Sequence, residues 1–315
     1  MAEDQFENSS APGITHDDWI VVRVIVISGV FGLALVALGY LAAKSPSGIF
    51  AALTLISPFA SGVLAGYLWR RLPRSLTNFL MYALAITGVQ VLGAAAFLGE
   101  GVICLIIIAP LIAVIIWLGI LLGHGVAKSE RTSLKVSVGA LVVLAFIGDL
   151  LSPHIFQNKV TDDVLIRATP DKIWPYVASF PPITETPSFW LFRVGLPHPV
   201  ATTVDSNVQG AGRKCIFSSG VVFDERMTVY DPNHELTFDI IHQPADPEIL
   251  GHIDLERGQF LLIDNHDGTT TLRGSSWYAL RVFPVWYFNP WAESITSHVH
   301  LHVMEHIKRL AEATK

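Results

Sequence analysis

Nine residues near the C-terminus, HVHLHVMEH from His298 to His306, hold four histidines. Imidazole binds metals, moves protons near neutral pH and hydrogen-bonds through both ring nitrogens. At 100° per residue, Ile295, Val299, Val303, Ile307 and Leu310 form an apolar stripe. His298, His302 and His306 climb one edge of that stripe at spacing i, i+4, i+8, and His300 lies on its other side. Neighbours four apart could share a metal, but zinc wants three or four protein ligands. No H-E-x-x-H is present, so the reading contains no metal site and no cofactor. The expectation is that His302 and His306 face a sheet, where they satisfy buried polar groups or touch a ligand. His298 and His300 are expected to be more exposed.

A second candidate lies in the strand-like stretch VVFDERMTVY. With a period of two, Val221, Phe223, Glu225, Met227 and Val229 share one face. Glu225 is then a carboxylate on an apolar face, where burial without a partner is costly and raises its pKa. It could orient a ligand hydroxyl or act as a general acid/base, with His302 as the other candidate catalytic group. Alternatively, it is a structural carboxylate paired with an inward Arg or His, or one exposed at a barrel rim. In the last strand-like run, Arg273, Ser275, Trp277 and Ala279 share one face, and Leu272, Gly274, Ser276 and Tyr278 share the other. Either face could point inward. The ligand-binding candidates are Phe217, Phe223, Glu225, Phe238, Trp277, Tyr278, His302 and His306.

The elements that must position these residues fall into two halves. Over the 315 residues, 51% are hydrophobic and 15% charged, too apolar for an ordinary soluble protein. The net charge of -6 argues against nucleic acid as a partner. The two cysteines, Cys104 and Cys215, lie in different halves and suggest no disulfide. Residues 1–18 read as a polar tail, 19–153 as a transmembrane helical domain and 154–315 as a soluble α+β domain.

A spanning helix needs about 20 mostly apolar residues. About five stretches qualify: Trp19–Leu41, Ile49–Trp69, Phe79–Leu98, Val102–Leu122 and the short Val136–Leu151, which carries Asp149. The acidic leader (Glu3, Asp4, Glu7, Asp17, Asp18) rules out a cleavable signal peptide. Basic loops at Arg70, Arg71 and Arg74 and at Lys128, Arg131 and Lys135 lie on one side of a five-span arrangement. Lys and Arg favour the cytoplasmic side, which leaves the C-terminal domain of this multi-pass protein extracytoplasmic. Span centres carry almost no ionisable groups, with Gln90 the main polar side chain. That favours an anchor bundle in the lipid bilayer over a pore or carrier.

In the second half, VTDDVLIRATP starts as a strand and DKIWPYVASF continues as a short helix opened near Pro170. Strand-like runs follow at ATTVDSN, GRKCIFS, VVFDERMTVY, ELTFDII, HIDLERGQFLLID and TTTLRGSSWYALRVF. Turn residues separate them, as in an antiparallel meander. A long helix opens near Asn289-Pro290, after the aromatic stretch VFPVWYFNPW, which reads as an interfacial loop, a cavity plug or buried packing.

This order of pieces resembles the START-like, or SRPBCC, superfamily, in particular its polyketide cyclase/dehydrase and lipid-transport group. The matching stretches are IRATPDKIWPYV, GRKCIFSSGVVFDERMTVYDPNHELTF, DGTTTLRGSSWYAL and IKRLAE, over roughly residues 157–313. The resemblance implies a helix-grip fold, a curved antiparallel sheet around the long C-terminal helix, with a cavity between them for a lipid-like or other hydrophobic small molecule. The leading expectation is therefore a membrane-anchored binding or transfer protein. One alternative is a cyclase/dehydrase-type enzyme using Glu225 and a histidine of the last helix, with Arg273 converging on them. Another is a membrane sensor or structural protein that recognises a protein partner. No P-loop, G-x-G-x-x-G followed by a helix, G-x-S-x-G or C-x-x-C is present, so nucleotide, flavin and serine-hydrolase motifs lend no support.

Overall fold

A computed structural model describes residues 16–42, 55–71, 75–97, 99–128, 140, 155–248 and 252–313. The chain divides into two compact units. The first comprises Met1–Ala42, Ala52–Leu98 and Ile108–Gly148, and the second Ala43–Ala51, Gly99–Ile107 and Asp149–Lys315.

The first unit is helical. It draws on α1 (His16–Ala42), α2 (Ser57–Leu68), α3 (Leu76–Phe97) and most of α4 (Val102–Lys128). Three helical stretches are long and apolar enough to cross a membrane: Asp17–Leu38, Leu76–Phe97 and Val102–Lys128. The count of five is corrected to three among the described residues. The second candidate is described as a helix over only 12 residues. Apart from residue 140, the fifth candidate, Val136–Leu151, lies outside the described residues, as do the domain boundary at residues 152–154 and Arg74, Arg131 and Lys135 of the basic loops.

Small residues set the packing of α2 on α4. Gly62 and Gly66 face the α4 backbone at Ile116 and Ile120, while Gly119 and Gly123 face Phe59 and Val63. Each helix thus carries small residues four apart, and a Cβ at any of these positions would strike opposing backbone. Close backbone approach of this kind is how apolar helices associate in lipid. Gln90 is not left orphaned. Its side chain donates to Ser61 Oγ at 2.9 Å, and Ser61 donates to Pro58 O at 2.8 Å. Leu92 and Phe97 stay exposed, at 72% and 85%, as lipid-facing side chains do.

The second unit holds a seven-stranded antiparallel sheet in the order β1-β7-β6-β5-β4-β3-β2. Its strands are β1 (Phe156–Ile166), β2 (Pro199–Val204), β3 (Gly212–Phe217), β4 (Val222–Asp231), β5 (Glu235–His242), β6 (Ile253–Asp264) and β7 (Thr270–Leu280). Strands β2 to β7 follow the sequence expectation within a few residues, because alternation and turn residues mark each one. The pairing of β1 with the last strand, Phe156 opposite Leu280 through Ile166 opposite Thr270, closes the meander over a long sequence separation.

Bulges in β2, β4 and β6 bend the sheet. The result is a curled half-barrel, and α7 (Val285–Ala313) packs in it against β1, β7 and β2. Two short helices, α5 (Pro170–Ala178) and α6 (Trp190–Arg193), follow β1, and α5 also packs on α7. The core joins Ile166 of β1, Ile173 of α5, Met227 of β4, Leu272 of β7, and Met304 and Ile307 of α7.

Two expectations about α7 change. The helix begins at Val285, not near Asn289-Pro290, so most of VFPVWYFNPW is helical. Pro284 leads into the first turn and its carbonyl accepts from Tyr287 and Phe288. Pro290 falls early in the helix, where few intrahelical bonds are lost. The buried face is also rotated. It runs through Thr296, His300, Val303, Met304, Ile307 and Ala311, while Ile295, Val299 and Leu310 are only half-buried. His300 is therefore buried, at 6% exposure, where the sequence reading put it outside.

Candidate functional site

Between the concave face and α7 lies a cavity of about 100 Å³. Its apolar wall carries five phenylalanines, Phe180, Phe217, Phe223, Phe238 and Phe260. Gly258 of β6 sits opposite Phe238 of β5, and the Phe238 ring occupies the space a Cβ would take. Besides Thr202 and Arg257, two polar groupings interrupt this wall.

The first is Glu225 with Arg213. The turn between β3 and β4 is closed by Phe217 N–H donating to Val221 O at 2.9 Å, with Gly220 at a φ of +85°. Counting outward from that pair places Arg213 opposite Glu225 on the same face. Arg213 and Glu225 are 3% and 5% exposed and form a buried ion pair. Arg213 also donates Nε–H to Ala178 O at 3.1 Å, and its guanidinium lies 4.5 Å from the Phe238 ring centre. Burial pushes the Glu225 carboxyl above its ordinary value, and the Arg213 guanidinium pulls the other way.

The second is a chain of three side chains. Ser276 Oγ lies 2.7 Å from His300 Nε2, and His300 Nδ1 lies 2.7 Å from Asp162 Oδ2. Ser297 Oγ donates to the other oxygen of Asp162 at 2.6 Å. Gly274 makes room for this chain. It sits opposite Asp162 in the β1–β7 register and two residues before Ser276. A Cβ there would meet Met304 at 2.8 Å and lie 3.7 Å from His300 Cγ. Burial lowers the His300 pKa, with Asp162 opposing.

Of the candidates named from sequence, Phe217, Phe223, Glu225, Phe238 and Trp277 line the cavity. The Trp277 ring also lies under Lys159, 4.2 Å from its ammonium. Tyr278, His302 and His306 are not among the lining residues. Tyr278 is fully buried and its hydroxyl donates to Asn289 at 3.1 Å and accepts from Asn158 at 3.2 Å.

His302 packs against Phe192 and His198, with ring centres 6.0 and 5.1 Å away, and its Nε2 has no hydrogen-bond partner among the described residues. Burial, then the neighbouring charges of His198, Arg309 and His306, holds its pKa down to about 4. His306 bonds Pro181 O through Nε2 at 3.2 Å. His298 stacks on Phe189 at 3.8 Å. Arg273 is bound to Asp163 on an exposed face, at 2.7 and 2.8 Å. The structure therefore does not bring Glu225, His302 and Arg273 together.

Sequence reasoning missed Arg213, Asp162 and the roles of Ser276 and His300. Arg213 was legible from the hairpin register. Asp162 and Ser276 were not, because only the pairing of the first strand with the last brings both to His300.

No family model and no curated protein matches the chain. Among solved structures, norcoclaurine synthase from Thalictrum flavum, in complex with dopamine and hydroxybenzaldehyde, is 12% identical. It covers 51% of this chain and 90% of its own, with a TM-score of 0.36. Protein MLL2253 from Mesorhizobium loti is 19% identical over 50% of this chain and 99% of its own, with a TM-score of 0.34. XoxI from Bacillus cereus is 13% identical over 48% and 93%, with a TM-score of 0.33. Likenesses of this size carry no functional argument. The strand order and the seating of α7 define the fold.

Proposed function

We propose that this protein is a membrane-anchored binding protein for a hydrophobic small molecule, held between the curled sheet and α7. The observation that carries this reading is the cavity itself: an aromatic wall interrupted by a few placed polar groups, as small-molecule sites are. Three helices long and apolar enough to span a bilayer supply the anchor. The resemblance of the second half to START-like proteins points the same way.

The size of the cavity narrows the guest. At about 100 Å³ it is smaller than the roughly 300–1,000 Å³ of common ligand pockets. An apolar cavity of about 150 Å³ takes up benzene. The guest that fits without rearrangement is therefore of the order of one aromatic ring or a short acyl segment. A whole lipid requires side chains of the wall to move.

The test uses the full chain, purified in mild detergent with and without added phenol and analysed by native mass spectrometry. The expected result is a retained small apolar molecule or bound phenol. Val299→Trp, which places bulk into the lining, should abolish it while leaving the far-UV circular dichroism of the fold intact. Guest-free protein under every condition would overturn the reading, as would equal binding to the filled variant.

A further inference from the structure

The cavity holds an arrangement that guest binding alone does not require. His300 touches Ser276 through one ring nitrogen and Asp162 through the other, both at 2.7 Å. These are the contacts by which a serine is activated as a nucleophile: hydroxyl to base, base to orienting carboxylate, each within about 2.6–3.2 Å. Ser276 and His300 both line the cavity, so a guest would lie beside the pair. Asp162 is itself held by Ser297, which fixes the carboxylate that fixes the imidazole.

We propose that Ser276, His300 and Asp162 form a nucleophilic relay, and that Ser276 is acylated by a small activated ester held in the cavity. This rests on the cavity being a guest site. Asp162 accepts the Nδ1–H of His300, which leaves the Nε2 lone pair facing the hydroxyl. Ser276 Oγ attacks the ester carbonyl carbon and its proton passes to His300 Nε2. The carbon–oxygen bond to the leaving group then breaks, and that group departs as an alcohol or phenol with the proton from His300. Water attacks the acyl-serine, giving one proton to His300. The acid leaves as Ser276 recovers that proton. The net change is ester plus water to acid plus alcohol.

Three features support the assignment. Burial lowers the His300 pKa, which favours the neutral form a general base needs. Gly274 leaves the gap that lets the imidazole reach both partners. The position of Ser276 also sets the substrate class. It lies mid-strand, paired with Val160 on one side and Gly258 on the other, so its own backbone N–H is turned into the sheet. A backbone oxyanion donor is typically worth about 10²–10³ in rate. Without that help, the relay suits esters whose leaving group departs readily, aryl esters foremost, and not amides.

The same contacts also tie α7 to the sheet, and a purely structural role leaves Ser276 inert to electrophiles. The full chain in detergent is therefore treated with a small alkyl fluorophosphonate, and phenol binding is measured on an untreated aliquot of the same preparation. Attack of Ser276 Oγ forms an oxygen–phosphorus bond, expels fluoride and gives the proton to His300. One adduct is expected, mapped by peptide mass to Ser276 and absent in Ser276→Ala. Labelling should slow by at least about a hundredfold in Asp162→Asn, whose amide holds the wrong imidazole tautomer. Unlabelled Ser276 in a wild-type preparation that binds phenol overturns the relay and leaves the guest site standing. Failure of both labelling and phenol binding overturns both. A Ser276 adduct without phenol binding sustains the relay, since the probe itself has entered the cavity, and overturns the reading of the cavity as a site for guests that do not acylate. Undiminished total labelling of Ser276→Ala overturns the relay by placing the reactive hydroxyl elsewhere.

Discussion

The two polar groupings in one cavity wall solve burial in opposite ways. At the β3–β4 end, Arg213 and Glu225 are both charged types, and each is spent on the other. At the β1–β7 end, His300 is a neutral base held between a hydroxyl and a carboxylate, so its proton has somewhere to go. The first grouping is a lock, because removing one member leaves a charge stranded in a low-dielectric site. The second is a relay, because each member accepts or donates through a hydrogen bond to its neighbour. Position in the sheet explains the difference. A hairpin brings neighbouring residues together in register, whereas the β1–β7 pairing and α7 assemble three distant segments around one imidazole.

Breaking the lock should have the largest effect. Glu225→Leu strands the Arg213 guanidinium and should cost about 3–5 kcal/mol, read by chemical denaturation of the full chain. Arg213→Met combined with Glu225→Leu should recover most of that loss. If the single variant is as stable as the wild type, the ion pair is not the lock described here.

Breaking the relay should cost less stability. His300→Ala leaves Asp162 and Ser276 without their common partner, a loss of about 1–3 kcal/mol in the same assay. A larger loss than that of Glu225→Leu would reverse the ordering.

The contrast sharpens further at His302, two residues along the same helix. Its folded pKa is held near 4, below its ordinary value, so between about pH 6.5 and 4 the unfolded chain binds more protons than the folded one. Stability is then full above pH 6.5 and falls as pH drops towards 4. His300 and His198 share the direction of shift and add to the fall. His302→Gln should flatten part of this thermal-melt pH profile, and an unchanged profile would remove His302 as a contributor. The smallest effect is expected for Arg273→Ala. Its partner Asp163 is exposed, and the melting temperature should stay within error of the wild type.

Much of the second unit was legible in the sequence because alternation is a local signal. Phe223, Glu225 and Met227 face inward as their period of two requires. The partner of Glu225 was legible too, since the hairpin turn fixes which residue of GRKCIF stands opposite. The histidine cluster was harder. Helical periodicity gives an arc, and with apolar residues on both flanks its centre is set by what the sheet offers. Asp162, Gly274 and Ser276 draw His300 inward, and they sit more than a hundred residues apart across the β1–β7 pair. In the first unit, hydropathy located α1, α3 and α4 because lipid-spanning length is a single-segment property. The small-residue contacts between α2 and α4 depend on a pairing that composition alone does not reveal.

The most direct test of the guest site is photo-crosslinking of the full chain, in bilayer nanodiscs, with a short fatty acid carrying a diazirine, followed by peptide mapping. The account expects adducts on the cavity wall, at the β3–β4 hairpin and on α7 around Val299 and Val303, and their loss in Val299→Trp. Adducts confined to the apolar surfaces of α1, α3 and α4, with none on the wall, would contradict it.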